Sequence, residues 1–312
     1  MSQKMNNTGL PGMAGALTIL FLILAISPRN AAGAEASWIL DATAGMGHSD
    51  NVNNASSPAG KKSDDNTFLS LIGGGYFQIA DYTGVAVAVD LKKEVSANYS
   101  GLSFIAAGVS FRLSHKVGLG PSAPRLSAYA SVSDEEYGDK DRTSISYKAG
   151  ISGSRWIDER VKVGLGYEFD KRAPKNNNAD CLAGYGGYCQ TSNNTNVYGI
   201  QGHSGIAIAE IALTEKDTLL FSYRYRSGDV VSVDLPTQRA LGASAAVSPD
   251  EVFPALTAYR ISAVTQTGSI GISRELFRKM SLNVNYSFNA AAGKGGVDYQ
   301  SGIVTLIAAY SF

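Results

Sequence analysis

Apolar and polar residues alternate with a period of two along most of this chain. The segment 280–291 shows the pattern most clearly, because one set of alternate positions is apolar or aromatic and the other is mostly Ser or Asn. The apolar set is Met280, Leu282, Val284, Tyr286 and Phe288. Successive side chains of a β-strand point to opposite faces of a sheet. The segment is therefore predicted to be a strand with one apolar face and one polar face.

Twelve segments share this alternation, and each is about the length of a tilted membrane-spanning strand, ~9–11 residues. The predicted strands are 38–48, 67–80, 83–93, 102–115, 125–136, 143–156, 160–171, 196–213, 218–230, 258–274, 280–291 and 299–312. The connections alternate between mostly short turns and often longer loops, a pattern typical of outer-membrane barrels. The predicted fold class is all-β: a transmembrane antiparallel up-and-down β-barrel of 12 strands, with both termini on the short-turn side.

Composition excludes several other classes. Charged residues are 17% of the 312 residues, the formal net charge is zero and there are 34 Gly residues. A helical membrane protein would be more apolar and a disordered chain more charged. Balanced charge gives no reason to expect a nucleic-acid partner. A soluble β-sandwich with its apolar faces inward remains the alternative, but aromatic residues near strand ends favour the girdle of a membrane barrel. These aromatic residues are Trp38, Phe77, Trp156, Phe277, Tyr310 and Phe312.

The N-terminus has the features of a secretory signal peptide. Lys4 precedes a short apolar run at 14–26, and small residues at 32–36 fit a cleavage pattern. The run is shorter than the ~20 residues that span a bilayer. Residues 1–36 are therefore predicted to be cleaved, which leaves 37–312 as the barrel. Cys181 and Cys189 lie close together in a polar stretch, and an exported protein meets an oxidising compartment, so they are predicted to form a disulfide in a loop.

The last strand, 304–312, alternates apolar residues and ends with Tyr310 and the C-terminal Phe312. It resembles the closing strand of bacterial outer-membrane β-barrels of the porin-like kind. The resemblance implies a Gram-negative outer membrane, contact with its lipid, and recognition of Phe312 by the barrel-assembly machinery. The segment 48–53 also resembles the first-strand element of barrels from surface-lipoprotein assembly modifiers and polysaccharide exporters.

Charged residues within the strands are predicted to face the lumen, because a charge at the lipid midplane costs ~2–4 kcal/mol. The predicted pore-lining residues are Asp90, Lys92, Arg112, Lys148, Lys162, Glu168, Asp170, Arg224 and Arg226, and the same register includes Asp41 and Glu210. Two strands fit poorly: Ile206 and Ile208 in the eighth, and Ile270 and Ile272 in the tenth, fall on unexpected faces. A β-bulge would repair either register.

The predicted function is a narrow charged pore for passive passage of small hydrophilic solutes or ions. The alternative is a plugged barrel, in which opposite charges pair across the lumen, that displays surface loops, docks a periplasmic or surface protein, or serves an export conduit. The long loops 172–195 and 231–257 are expected to fold over the mouth.

Catalysis is not expected. A His/Ser pair on one strand face needs positions i and i+2, and His48, His115 and His203 all lack a Ser there. A dyad assembled across neighbouring strands is the alternative. The Asn- and Asp-rich stretches in 49–66 suit Ca²⁺, but solvated loop residues explain them as well, so no metal or cofactor is predicted.

Overall fold

The structure is a computed structural model, and it describes residues 36–176, 196–235 and 237–312. Both cysteines and all of the predicted signal peptide except Ala36 lie outside the described residues. The disulfide and the cleavage site therefore stay predictions.

The described residues are mostly strand. The strands are β1 Ala36–Ser49, β2 Asp64–Ala80, β3 Thr83–Ser96, β4 Phe104–Lys116, β5 Arg125–Tyr137, β6 Ser144–Trp156, β7 Val161–Pro174, β8 Ile200–Ala212, β9 Asp217–Asp234, β10 Ala246–Pro249, β11 Thr257–Phe277, β12 Met280–Gly293 and β13 Asp298–Ser311. One α-helix, α1, spans Gln238–Ala243, and 3₁₀ turns occupy Ser100–Leu102, Lys140–Arg142 and Lys294–Gly296. No helix among the described residues is long and apolar enough to cross a membrane.

The sheet closes into a barrel. Every strand from β1 to β9 pairs antiparallel with its neighbour in sequence, β9 pairs with β11, and β13 returns to pair with β1. Within the described residues this gives twelve barrel strands, while β10 pairs only with the end of β11. The predicted fold is confirmed, and ten of the twelve predicted strands begin and end within three residues of the observed ones. The exceptions are β8 and β9. The predicted loop 231–257 contains α1, β10 and the last residues of β9.

The outer face of the barrel is apolar. Leu165 is 72% exposed and Ile151 is 62% exposed, values that would be costly for a contiguous surface in water. Other large apolar side chains with exposed outer positions are Leu40, Met46, Leu69, Leu71, Leu126, Phe221, Tyr223, Val284, Tyr286 and Phe288. A closed barrel with such a surface is a transmembrane barrel, which confirms the outward orientation of the apolar face.

Aromatic residues surround the short-turn end, as predicted. Trp38, Phe277, Tyr310 and Phe312 are exposed there, and the ring centroids of Tyr310 and Phe312 lie 4.8 Å apart. Trp156 differs from the prediction, since it pairs with the lumen-facing Lys162 and lines a cavity inside the barrel.

The two irregular strands need no bulge in their spanning parts, so that prediction is wrong. In β8, Ile206 and Ile208 face the lumen opposite Gly166 and Gly164 of β7, and the register with β7 and β9 is continuous. Glycines without side chains leave room for these isoleucines. In β11 the register with β9 is continuous over 257–274, so Ile270 and Ile272 face outward at exposed positions.

The long loops build a common cap over the mouth, which we call the loop cap (residues 50–63, 97–103, 138–143, 196–199 and 237–256). Its buried apolar cluster comprises Val197, Tyr198, Phe253 and Leu256, together with Val233 and Ala258 at the ends of β9 and β11. The loop 50–63 connects β1 to β2, yet its Asn53 accepts a backbone hydrogen bond from Val233 N at 2.9 Å. Three strands separate β1 from β9 around the ring, so this loop crosses the mouth.

Amide side chains hold that crossing loop in place. Asn53 Nδ2 donates to the carbonyl oxygens of Gly60 at 2.9 Å and Val233 at 2.7 Å, and its Oδ1 accepts from Lys62 N. Asn51 is almost fully buried and donates to the carbonyl oxygens of Ala55 and Gln300. The oxygen-rich stretch that suggested calcium is thus engaged in hydrogen bonds within the protein.

Candidate functional site in the lumen

The register places all nine predicted pore-lining residues on the lumen face. In β4, Phe111 and Leu113 are exposed on the outer face, so Arg112 between them faces inward, and its cross-strand partner is Tyr129. The row continues through Gly150 to Glu168. The same parity holds for the others, although their role in a pore stays a prediction.

Two acid–base pairs connect β7 to β9 across β8. Arg224 Nη1 donates to Glu168 Oε1 at 2.7 Å, and the Tyr129 hydroxyl donates to Glu168 Oε2 at 2.6 Å. Arg226 donates through Nε and Nη2 to the two oxygens of Asp170 at 3.0 and 2.7 Å. A bidentate contact of this kind fixes the guanidinium geometry as well as neutralising its charge. The four predicted residues on these strands therefore form one wall cluster.

Glycines in the intervening strands permit these contacts. A Cβ on Gly150 would lie 2.6 Å from Tyr129 Cζ, so only glycine lets the Tyr129 ring cross β6 towards Glu168. A Cβ on Gly202 would lie 2.5 Å from Arg226 Cζ, where the guanidinium crosses β8 to reach Asp170. The lumen wall at the cluster is thus shaped by missing side chains as much as by charged ones.

Two other predicted lysines are paired nearer the ends of the barrel. Lys162 Nζ donates to Glu210 Oε1 at 3.0 Å near the short turns. Lys92 Nζ donates to Glu94 Oε2 at 2.7 Å and lies 5.0 Å from the centroid of the Phe104 ring. Glu94 was missed because the predicted strand ended at residue 93, one position too early.

One ion pair at the long-loop end was not predicted from the sequence. Arg172 Nη2 lies 3.1 Å from Glu135 Oε2, and both positions have the parity of the lumen face. Both residues lie at the loop ends of their strands, and Arg172 is one residue beyond the predicted strand. Extending the alternation by one or two residues would have found the pair.

Three predicted residues have no ion-pair partner within 4.0 Å among the described residues: Arg112, Lys148 and Asp90. Arg112 lies over the Tyr129 ring with its Cζ 5.4 Å from the centroid, a cation–π distance. Arg112 and Lys148 are both exposed although they face the lumen. Water therefore reaches the interior of the barrel at their positions.

Two cavities bordered by described residues lie towards the short-turn end of the barrel. A cavity of about 680 Å³ is lined by Arg112, Arg125, Tyr129, Lys162, Glu168 and Arg224, among others. A second cavity of about 640 Å³ is lined by Tyr76, Gln78, Asp81, Tyr82, Ser114, Lys116 and Arg125. Lys116 and Arg125 border both cavities, which makes them neighbouring parts of one wet vestibule.

The lumen towards the loop cap is packed instead. Val230, Ala263, Ala291 and Tyr299 occupy lumen-facing positions and form a buried apolar cluster. Beyond it, Ala240 and Leu241 of α1 pack against Tyr259 and Ile261 of β11, which also have the lumen parity. The helix begins at the N-cap Thr237, whose Oγ1 accepts from Ala240 N. These apolar side chains therefore fill part of the lumen near the cap, whereas the vestibule lies at the short-turn end.

Comparison with known proteins supports the fold. No protein-family model and no curated protein sequence matches this chain. Among solved structures, an outer membrane channel from Pseudomonas putida F1 is 10% identical and has a TM-score of 0.50, with 88% of this chain and 95% of that chain covered. The outer membrane channel DcaP of Acinetobacter baumannii is 12% identical with 91% and 99% covered, and the NanC porin is 7% identical with 88% and 100% covered; their TM-scores are 0.41 and 0.44. At these identities the likeness shows the fold alone: that of a bacterial outer-membrane barrel.

Proposed function

We propose that the barrel conducts small hydrophilic solutes or ions passively through a narrow charged lumen in the outer membrane. The observation that supports this most strongly is the exposure of Arg112 and Lys148, two lumen-facing charges that water reaches inside a lipid-embedded barrel. Fixed charges of this kind replace part of a solute's hydration shell and set selectivity. The neighbouring porins and channels agree with a channel but do not specify its solute.

The proposed constriction is formed by the wall cluster and its unpaired neighbours. It comprises Arg112, Lys148, Glu168, Asp170, Arg224 and Arg226. Because Glu168 and Asp170 are each bound to an arginine, removing the arginines exposes two uncompensated carboxylates. The selectivity of the pore therefore depends on the arginines more strongly than a simple charge count implies.

A planar bilayer tests this proposal. The wild type should show discrete, salt-dependent conductance, and Arg224→Ala with Arg226→Ala should shift the reversal potential in a KCl gradient towards cations. Arg274→Ala is the matched control, since Arg274 is on the outer face, is 63% exposed and lies 3.6 Å from Asp217. An unchanged reversal potential in the double variant would remove these arginines from the conducting path.

The second candidate is a plugged barrel that displays its loops or docks a periplasmic or surface partner. It is favoured by the loop cap, in which the loop 50–63 crosses the mouth, and by the apolar cluster around Tyr299. A folded wild type that gives no conductance in bilayers and co-purifies with a protein partner would support this function instead.

We propose no catalytic role. All three histidines lie on the outer face, where each has a polar neighbour: His48 Nδ1 lies 2.7 Å from Asp65 Oδ1, His115 Nδ1 2.8 Å from Thr83 Oγ1, and His203 Nδ1 2.7 Å from the Tyr167 hydroxyl. None of these sites has a nucleophile and an orienting third group among the described residues. They suit an aromatic and polar rim rather than a reaction centre.

Recognition of the C-terminus by the barrel-assembly machinery is also a proposal. Phe312 N donates to Leu40 O at 2.9 Å, which closes the seam between β13 and β1, while the Phe312 side chain is 64% exposed. An exposed terminal aromatic residue on the last strand is accessible to a partner. Deleting Phe312 and measuring the fraction of barrel assembled in the outer membrane would test this.

A further inference from the structure

Two basic residues face each other on the lumen side of the β4–β5 hairpin. Lys116 and Arg125 are direct cross-strand partners, and both line the vestibule. Like charges directly opposite one another destabilise a sheet. Neither residue has an acidic partner within 4.0 Å in the described part of the chain. The repulsion is therefore left for a solute or solvent ions to neutralise.

The same hairpin face adds a third cation and two hydroxyl groups. Arg112 lies four residues before Lys116, about 13 Å away along the strand, and the Tyr129 ring holds its guanidinium. Between the two ends lie Ser114 and Ser127, whose hydroxyl oxygens are 3.1 Å apart. The long side chains of Arg112 on one side, and of Lys116 and Arg125 on the other, can reach towards this serine pair, whose hydroxyl groups can donate hydrogen bonds. Cations that surround hydroxyl donors form a pattern that suits an oxyanion.

The acidic groups nearby do not neutralise this face. Glu168 is occupied by the Tyr129 hydroxyl and Arg224, and Glu210 is bound to Lys162. Asp81, in the turn between β2 and β3, also lines the second cavity but makes no ion pair within 4.0 Å among the described residues. The first of the two vestibule cavities, at about 680 Å³, has the size of pockets that hold small organic molecules, ~300–1,000 Å³.

We propose that this hairpin face is a binding site for a small oxyanion solute, one that carries carboxylate or phosphate groups, at the short-turn end of the lumen. The inference rests on the proposed function and deepens it, because it assigns the chemical class of the solute. Arg112, Lys116 and Arg125 bind the anionic groups, and the hydroxyls of Ser114 and Ser127 orient them. A solute moving through the lumen pauses here, where the positive charge is greatest.

Isothermal titration calorimetry on the folded full-length barrel in detergent tests the site without requiring conductance. The probes are citrate and inorganic phosphate, titrated separately so that a preference between carboxylate and phosphate is resolved. Arg112→Ala with Arg125→Ala should weaken binding of the preferred probe about tenfold or more, since hydrogen bonds between charged groups are the strong ones. Arg274→Ala, which removes one arginine on the outer face at the same end of the barrel, should leave binding within twofold.

Two further measurements keep the result interpretable. Arg125→Lys keeps the charge and should retain most of the affinity, whereas a merely structural arginine would show no such rescue. Heat-dependent migration on a denaturing gel verifies that each variant is a folded barrel. If the wild type binds neither probe, or if the double variant binds both as tightly as the wild type, the site is wrong.

The site and the channel fail independently. Anion binding without bilayer conductance overturns the proposed channel but supports the site as part of a closed vestibule. If the pore conducts, but citrate and phosphate do not change its conductance and it is equally permeable to K⁺ and Cl⁻, the site is wrong and the channel is supported.

Discussion

The two ends of this lumen treat charge in opposite ways. Towards the loop cap, three lumen-facing bases each have an acidic partner: Arg226 pairs with Asp170, Arg172 with Glu135, and Lys92 with Glu94. Towards the short turns, Lys116 and Arg125 face each other without an acidic partner in the described residues. These unpaired charges in a wet cavity are the groups to which we propose that an oxyanion binds.

The loop cap shows how completely the long-loop end is satisfied. The Asp250 carboxylate is fully buried and accepts from Arg142 Nη2 at 2.5 Å and the Tyr198 hydroxyl at 2.7 Å. Its other oxygen accepts from the backbone N–H groups of Val252 and Phe253. Burial raises the pKa of Tyr198, so this hydroxyl keeps its proton and remains a donor. The loops are therefore joined by a dry, specific network.

This network joins parts of the ring that are far apart. Arg142 lies in the turn between β5 and β6, whereas Asp250 precedes β11, and β7, β8 and β9 stand between those strands. The Phe253 ring reaches further and lies 4.7 Å from that of Tyr99, in the loop between β3 and β4. The cap is thus a small folded core built on top of a membrane barrel.

The largest expected effect follows from breaking the cap. Asp250→Ala leaves the largely buried Arg142 with Asp139 as its one remaining ion-pair partner among the described residues, and loss of one partner of a buried ion pair costs about 3–5 kcal/mol. Local opening of the cap loops should rise about 150- to 4,000-fold, since 1.4 kcal/mol corresponds to a factor of ten. Limited proteolysis of the intact barrel measures this opening.

Asp65→Ala is the control for the cap variant, because Asp65 is an exposed rim residue whose partner is the exposed His48. Its loops should be cleaved at the wild-type rate. If the Asp250 variant were also cleaved at that rate, the buried network would contribute nothing to holding the cap closed.

Period-two alternation made the barrel predictable because lipid imposes the same rule on every spanning strand. It assigned Arg224 and Asp170 to the lumen for that reason alone. Alternation did not reveal their partners: Arg224 binds Glu168, although its register row on β7 contains Gly166. Pairing between residues in different register rows depends on side-chain length and on the space left by glycines. Knowing which face of the sheet a residue is on does not reveal either.

The sequence indicated that loop 231–257 folds over the mouth, but the side chains that form the core of the loop cap could not be predicted, for a different reason. Tyr198, Phe253 and Leu256 meet in one core, although Tyr198 was assigned to the predicted strand 196–213 and the other two residues to the loop 231–257. Helix α1 has only six residues, so its apolar stripe is too short to recognise. The like-charge pair of Lys116 and Arg125 was missed because Lys116 was assigned to a turn rather than to the lumen face of β4.

A smaller effect is expected in the middle of the lumen, between the loop-cap end and the short-turn end. In Gly202→Ala the new Cβ would lie 2.5 Å from Arg226 Cζ, so the guanidinium must leave its bidentate contact with Asp170. Overpacking of this kind costs about 1–3 kcal/mol. Gly205→Ala in the same strand is the matched control, since nothing lies within 4 Å of its added Cβ.

Denaturant unfolding of the folded barrel measures both glycine variants. The midpoint should fall for Gly202→Ala and stay near wild type for Gly205→Ala. Equal midpoints would mean that Arg226 moves aside without loss of stability. The pairing of Arg226 with Asp170 would then not stabilise the loop-cap end of the lumen.

The smallest effect is expected at Tyr129, at the border of the vestibule, which contacts both a paired and an unpaired charged residue. Its hydroxyl donates to Glu168, while its ring lies against Arg112. Tyr129→Phe removes only the hydroxyl and should lower the free energy of unfolding by about 1 kcal/mol, because Glu168 keeps Arg224.

Tyr129→Leu separates the two roles of this residue, because it also removes the ring that holds Arg112. The Phe variant should keep the wild-type affinity for the anion probe, whereas the Leu variant should weaken it two- to fivefold, since an exposed cation–π contact contributes about 0.5–1 kcal/mol. Tyr147→Phe, at an exposed outer position of β6, is the control for loss of a hydroxyl. Equal anion affinity in the Phe and Leu variants would show that the ring does not position Arg112. Anion binding in the vestibule would then depend on charge alone.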